Sequence, residues 1–233
     1  MFRLTCFRRV VPLALAAGLA ACAPVREQQD LQALVDRATL SVQEILTTGE
    51  GTQETISVLR RARAVVVCPR VFRASFIFGG EGGACVLVAR DGGGSWSSPA
   101  FYGLGSGSVG LQIGAQDATI MMMIMSDRGL QAVMNNQFTV GADAAIAVAT
   151  IGGGVQGSTT TAAGADVLTV ARSRGLFAGL SLSGSVLTHR PQEARAYYGR
   201  PFSAPQIVVA MEAHNPGSDP LRAMLMRFGS PAN

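Results

Sequence analysis

Apolar residues recur every three or four positions near the start of the chain. Between Arg26 and about Thr47 this spacing is typical of an amphipathic helix. The apolar positions are Leu31, Leu34, Val35, Ala38, Val42, Ile45 and Leu46. The opposite face is net acidic, so we expect this helix to pack on a core and not on a membrane surface. After two glycines, the segment Gln53–Arg63 predicts a second, shorter helix.

Runs of β-branched, aromatic and other apolar residues, bounded by glycine or proline, predict strands through the middle of the chain. These runs are "RAVVVCP", "ASFIFGG", "ACVLVAR", "SVGLQIGAQ", "DATIMMMIM", "DAAIAVATIGG", "ADVLTVARS" and "GLFAGLSLSGSVL". The segment "DGGGSW" predicts a turn, and the methionines at 121–123 and 125 predict a buried strand. Further helices are expected over Asp127–Asn135, Gln192–Tyr198 and Asp219–Phe228.

The order of these elements predicts one α+β domain. We expect it to be mainly antiparallel β, either barrel-like or sandwich-like, with helices at the N-terminal and C-terminal ends. The composition agrees, since 48% of the residues are hydrophobic, 15% are charged and 28 are glycine. That mixture favours an ordered fold with tight turns over disorder.

The charge of the chain excludes some classes of function. All 19 basic residues are arginine, against 15 acidic residues, and the formal net charge is +4. Three arginines precede residue 22, so the rest of the chain is close to neutral and we do not expect nucleic-acid binding. The absence of lysine excludes a Walker A loop and any other mechanism that needs a lysine.

The N-terminus has the pattern of a bacterial lipoprotein signal. Arg3, Arg8 and Arg9 precede an apolar run, Val10–Ala21, that is too short to span a membrane. The sequence "LAAC" ending at Cys22 resembles the lipobox, in which the cysteine thiol receives a lipid. The alternative is an ordinary secretory signal followed by a buried thiol.

The lipoprotein interpretation divides the chain into three parts. Residues 1–21 are a cleaved signal peptide, residues 22–30 a lipidated N-terminus with a short tether, and residues 31–229 the folded domain. We expect a lipid-anchored, periplasm-facing protein of the bacterial cell envelope. Ala23 after the cysteine favours the outer membrane over the inner one.

Cys68 and Cys85 remain once the signal is set aside. Each lies in a segment predicted as a strand, and the expected compartment is oxidising. We therefore predict a disulfide between them. Two buried free thiols are the alternative.

Few residues suggest catalysis. Gly105, Gly107 and Gly110 fit the pattern G-x-G-x-x-G, but a strand-like segment follows where a dinucleotide site needs a helix. His189 and His214 are the two histidines, without the spacing of a zinc site. We expect no cofactor, no metal and no enzyme activity. A hydrolase built around one of the histidines remains an alternative.

Five arginines form a basic cluster within fourteen residues that contain no acidic residue. They are Arg60, Arg61, Arg63, Arg70 and Arg73. Because the guanidinium group binds phosphate oxygens well, we predict contacts with anionic lipid head groups. The alternative is the solvated end of the second helix, where cations suit the helix dipole.

Three stretches together resemble the SYLF domain family. They are "FIFGGEGGACVLVARDGGGSWSSPAFYGLGSGSVGLQIGAQ", "FTVGADAAIAVA" and "RSRGLFAGLSLSGSVL", the last followed by "AYYG". The resemblance runs from about Gln32 to Phe228. The family occurs in bacterial envelope lipoproteins and in eukaryotic proteins that bind phosphoinositides and, in yeast, actin.

The resemblance implies a non-enzymatic domain that binds anionic phospholipid. Actin binding is not expected in a periplasmic protein. The alternative is a structural or protein-interaction lipoprotein, for which the sequence predicts no particular partner.

Overall fold

The computed structural model describes residues 23–48, 51–75, 78–109, 114–135, 137–140, 146–150, 166–175 and 184–230. The helices within these ranges are α1 (Ala23–Thr47), α2 (Thr52–Arg61), α3 (Asp127–Met134), α4 (Pro191–Tyr198), α5 (Ala204–Val208) and α6 (Asp219–Gly229), with a 3-10 turn at Pro216–Ser218. The strands are β1 (Ala64–Ser75), β2 (Phe78–Ala89), β3 (Ala100–Val109), β4 (Gly114–Ile124), β5 (Gln137–Thr139), β6 (Ile146–Thr150), β7 (Val167–Gly175) and β8 (Val186–His189).

The eight strands form one sheet in the order β5-β8-β3-β2-β1-β4-β7-β6. All pairs are antiparallel except β6 with β7. A flat sheet of this size would be about 34 Å wide. However, seven residue steps separate Thr139 in one edge strand from Ile146 in the other, and seven steps reach at most about 25 Å. The sheet must therefore curl, and it forms a half-barrel.

The helix α1 packs on the outer face of this half-barrel. Arg172 of β7 donates to Glu44 of α1 over 2.8 Å. The opposite face, called here the inner face, is also buried where Val66, Leu87 and Met122 lie in register on neighbouring strands. Burial of both faces explains why the central strands read as nearly continuous apolar runs.

A β-bulge interrupts the central strand β1. Cys68 and Pro69 together lie opposite Cys85 of β2, because the register shifts between Val67 and Arg70. Proline lacks the N–H that a regular central strand requires, so the bulge accommodates it. The Thr119 hydroxyl donates to the Pro69 carbonyl oxygen over 3.0 Å.

The same bulge joins the two predicted cysteines. Cys68 and Cys85 are fully buried, their Cα atoms lie 4.2 Å apart, and their sulfurs are within disulfide-bonding distance. The predicted pairing is therefore confirmed in its geometry. It links the two strands at the centre of the sheet.

The predicted α+β class is confirmed, and the single curled sheet corresponds to the barrel-like alternative. Three expectations about boundaries differ from the structure. The segment "SVGLQIGAQ" is not one strand, since its first two residues end β3, its last three begin β4, and the four between them lie outside the described residues. Residues 23–30, expected as a tether, belong to α1. The segment "ASFIFGG" is not a separate strand, since its residues divide between the end of β1 and the start of β2. The structure describes no helix that is both long and apolar enough to cross a membrane.

The disulfide is expected to stabilise the domain by about 3 kcal/mol, because it closes a loop of 17 residues in the unfolded chain. Urea denaturation with and without a reductant measures this difference. The matched control is Cys68→Ala combined with Cys85→Ala, whose stability should not respond to the reductant. Two thiols alkylated under denaturing conditions without reductant would contradict the pairing.

Candidate functional site

A surface groove of about 430 Å³ lies beside the start of β1. Its apolar part includes Leu130 and Met134 of α3 with Val208 and Val209 at the end of α5. The side chain of Val209 is 56% exposed. The remaining lining residues are Arg63, Ala89, Arg90, Asp91, Gly92, Asp127 and Gln131.

Arg90 holds this end of the domain together. Its guanidinium donates to the carbonyl oxygens of Leu59 and Arg60 at the end of α2 and of Gly229 at the end of α6, over 2.7 to 3.2 Å. It also lies 4.6 Å from the centre of the Trp96 ring. One cation thus donates to carbonyls at the ends of two helices, although the Leu59 carbonyl also accepts the N–H of Ala62. Burial, and to a smaller extent the charge of Arg63, lower the pKa of Arg90.

Three of the five predicted arginines lie at the groove end of the domain. Arg63 lines the groove and donates to Asp127 over 2.8 Å. Arg60 and Arg61 are exposed in the last turn of α2, next to the carbonyl that Arg90 contacts. Within the described part of the chain, neither of these two side chains has an acidic partner.

The other two arginines lie farther along β1, beyond the bulge. Arg70 makes a two-pronged ion pair with Asp117 of β4, with distances of 2.9 and 3.1 Å. This pairing lowers the pKa of Asp117. Arg73 lies 3.9 Å from a carboxylate oxygen of Glu81, whose side chain is fully buried. The five arginines, which are neighbours in the sequence, therefore lie in two separate parts of the domain.

The reason is the geometry of an extended strand, which rises about 3.3 Å per residue. Arg63 and Arg73 are ten residues apart and so lie about 30 Å from each other. Sequence reasoning also missed Arg90 as the residue that organises the groove end. Its position directly after the apolar run "ACVLVA" was the available signal.

The two histidines occupy different environments. His214 is more than half exposed and lies 4.0 Å from Asp219. His189 lies against Tyr102 with ring centres 5.3 Å apart, and burial lowers its pKa. Among the described residues, no group of three or more His, Cys, Asp or Glu side chains is placed to hold a metal ion. Cys22 lies outside the described residues.

Together these features define an α+β domain with one curled sheet and a shallow, arginine-bearing groove at one end. Residues 105–228 match the model of the family described as "Ysc84: Las17-binding protein actin regulator". The chain belongs to this family, which confirms the resemblance found in the sequence.

Several proteins with related names are similar to the chain. An SH3 domain-containing protein of Schizosaccharomyces pombe is 31% identical over 84% of this chain and 44% of its own length. The SH3 domain-containing YSC84-like protein 1 of Homo sapiens is 31% identical over 65% of this chain and 44% of its own length. Protein YSC84 of Saccharomyces cerevisiae is 26% identical over 72% of this chain and 36% of its own length.

The chain thus matches less than half of the length of each of these relatives. Two of these names mention an SH3 domain, the description of the family mentions actin regulation, and none of them mentions an enzyme activity. No solved structure matches the chain.

Replacing Arg90 by Met should lower the free energy of unfolding by about 3 kcal/mol, because three carbonyls lose a charged hydrogen-bond donor. Arg90→Lys should lower the free energy of unfolding by a smaller amount, since lysine keeps the positive charge but lacks the forked guanidinium group. Urea denaturation followed by Trp96 fluorescence measures both. Arg195→Met, on the exposed side of α4, is the control and should change stability by less than about 0.5 kcal/mol. Equal stability of the Arg90→Met and Arg195→Met variants would contradict the role of Arg90.

Proposed function

We propose that this chain is a lipid-anchored envelope protein whose domain binds anionic phospholipid at its groove end. The observation that carries the proposal is the placement of exposed arginines beside an exposed apolar groove. Cys22 is the proposed lipid attachment site, in a periplasm-facing protein held by the outer rather than the inner membrane. The proposal assigns no catalysis to the domain.

The charge at the groove end supports binding of an anion. Arg60 and Arg61 have no acidic partner among the described residues. Arg63 forms an ion pair with Asp127, and both residues line the groove. Four arginines, including Arg90, lie near this end, and the two carboxylates of Asp91 and Asp127 balance only part of their charge. An unpaired arginine near an anionic membrane contributes on the order of 1 kcal/mol to binding.

The apolar lining supports a ligand that is amphiphilic. Val209 and Met134 line the groove next to Arg63, so a charged group and hydrocarbon can be contacted side by side. A soluble anion would use only the arginines. A lipid at a membrane surface would use both parts of the site.

The start of α1 bears on the anchor. Since Ala23, the residue that follows Cys22, already belongs to α1, no extended segment separates the proposed lipid from the folded domain. A lipid at Cys22 would therefore restrict how the domain can turn on the membrane. In this arrangement, binding of head groups would orient the domain more than recruit it.

A protein partner is the second candidate, because the family is described as binding Las17 and the relatives contain SH3 domains. Phe72 offers a surface for it. This side chain is 47% exposed and lies in register between Gly82 and Asp117, away from the groove. In this case the arginines at the groove end would be solvated only.

Flotation with liposomes tests the proposal. All contacts described above lie from Ala23 onwards, so the chain without its first 22 residues contains the described fold. We expect it to float with anionic vesicles and not with neutral ones, and to be released at high salt. Arg60→Gln combined with Arg61→Gln should weaken binding by about 2 kcal/mol, or roughly 30-fold, at low salt.

The matched control is Arg195→Gln combined with Arg200→Gln, which makes the same change in net charge at the exposed end of α4. Its binding should fall much less. Equal loss in both double variants would mean that net charge alone is responsible. No flotation of the parent chain would refute lipid recognition by the domain and favour the protein partner, which crosslinking would then identify.

A further inference from the structure

A row of polar side chains crosses the inner face of the sheet at the end opposite the groove. Arg73 of β1 lies in register with Glu81 of β2 on one side and with Gln116 of β4 on the other. Residues paired in this way project from the same face of a sheet, about 5 Å apart. Ser185, next to β8, donates from its hydroxyl to the Oε1 atom of Glu81. These four residues are called here the polar layer.

Most of the polar layer is shielded from solvent. The side chain of Glu81 is fully buried, Gln116 is 2% exposed and Ser185 is buried. Arg73 is the exception, because 21% of its side chain is exposed. The arginine therefore connects the buried part of the layer with the solvent.

The hydrogen-bonding capacity of the layer is largely unused within the described part of the chain. The Oε2 atom of Glu81 has no hydrogen-bond partner, and neither the oxygen nor the nitrogen of the Gln116 amide has one. The Nε atom of Arg73 lies 3.9 Å from Glu81 Oε2, which is too far for a hydrogen bond. An unpaired buried polar group costs about 1 to 3 kcal/mol, so these groups call for a partner.

The free groups define the partner by their chemistry. Arg73 and the Gln116 amide nitrogen are donors, and they suit an anion such as a carboxylate. Glu81 Oε2 and the Gln116 amide oxygen are acceptors, and they suit an ammonium group. Since the facing atoms of Arg73 and Glu81 are only 3.9 Å apart, the two charges of the partner must be close together.

We propose that the polar layer binds a small zwitterion whose carboxylate contacts Arg73 and whose ammonium group contacts Glu81, as in an α-amino acid. Ser185 fixes the Glu81 carboxylate so that Oε2 stays free. Gln116 supplies a donor to one end of the ligand and an acceptor to the other. A free amino acid and the serine head group of a phospholipid share this chemistry.

Small residues flank the layer on both sides. Ser106 is in register with Glu81, and Gly175 with Gln116, so the row carries long side chains only at its centre. The proposal does not depend on the groove, which lies beyond the bulge near the start of β1. Failure of lipid binding at the groove would leave it untouched.

Binding is measured by titrating the purified chain with glycine and observing the Nε–H resonances of arginine by ¹⁵N NMR. We expect saturable binding that shifts one of these resonances. β-Alanine and 4-aminobutyrate, with longer separations between their charges, should bind progressively more weakly. Acetate and methylammonium, each with one of the two charges, should bind at least tenfold more weakly than glycine.

Variants assign the site. Glu81→Gln keeps an acceptor for Ser185 but removes the charge, and Arg73→Gln removes the opposite charge. Each should weaken glycine binding at least tenfold. Arg70→Gln is the matched control, because it removes an arginine from the same strand on the other side of the sheet, and binding should be unchanged. Circular dichroism checks that each variant is folded. If Glu81→Gln unfolds, Arg73→Gln still tests the site, because Arg73 is partly exposed.

The source of the ligand is settled by comparing glycine with glycerophosphoserine. Tighter binding of glycine indicates a free amino acid, and tighter binding of glycerophosphoserine indicates a lipid head group. Absence of saturable binding by both compounds would overturn the proposal. Equal loss in the Arg70→Gln control would do so as well.

Discussion

The short connection between the two edge strands is the constraint on which the structure depends. Seven residue steps from Thr139 to Ile146 cannot cross a flat sheet of eight strands, so the sheet has to curl. Curling encloses the inner face, which is then filled by the side chains of Val66, Leu87 and Met122 and their neighbours. The long helix α1 is left with the outer face. The amphipathic pattern of α1 and the continuous apolar pattern of the strands both follow from this arrangement.

The central strand β1 separates two polar regions that lie together in the sequence. Before its bulge, Arg63 belongs to the groove end, where Arg90 joins the ends of α2 and α6. After it, Arg73 enters the polar layer beside the buried Glu81. A run of arginines that resembles one binding surface therefore serves two ends of the domain. The disulfide at the bulge holds β1 and β2 together between them.

Much of the fold could be predicted from local patterns. Helical spacing indicated α1, α4 and α6, and the presence of two cysteines in strand-like segments of a protein expected in an oxidising compartment indicated their pairing. The strand boundaries could not be predicted in the same way, because Pro69 is tolerated inside β1 only through a bulge that depends on both neighbouring strands. Arg70 and Arg73 meet their acidic partners, Asp117 and Glu81, because of the strand register. Sequence spacing does not reveal that register. For the same reason the roles of Arg90, Glu81 and Gln116 became visible only in three dimensions.

The central claim is that the groove end of the domain meets an anionic membrane. An environment-sensitive fluorophore attached at Val209→Cys or at Phe72→Cys tests it most directly, since both positions are exposed and lie in different regions. With anionic vesicles that carry a quencher on their lipids, the account predicts strong quenching at position 209 and little at position 72. Quenching at position 72 alone, or equal quenching at both positions, would contradict it.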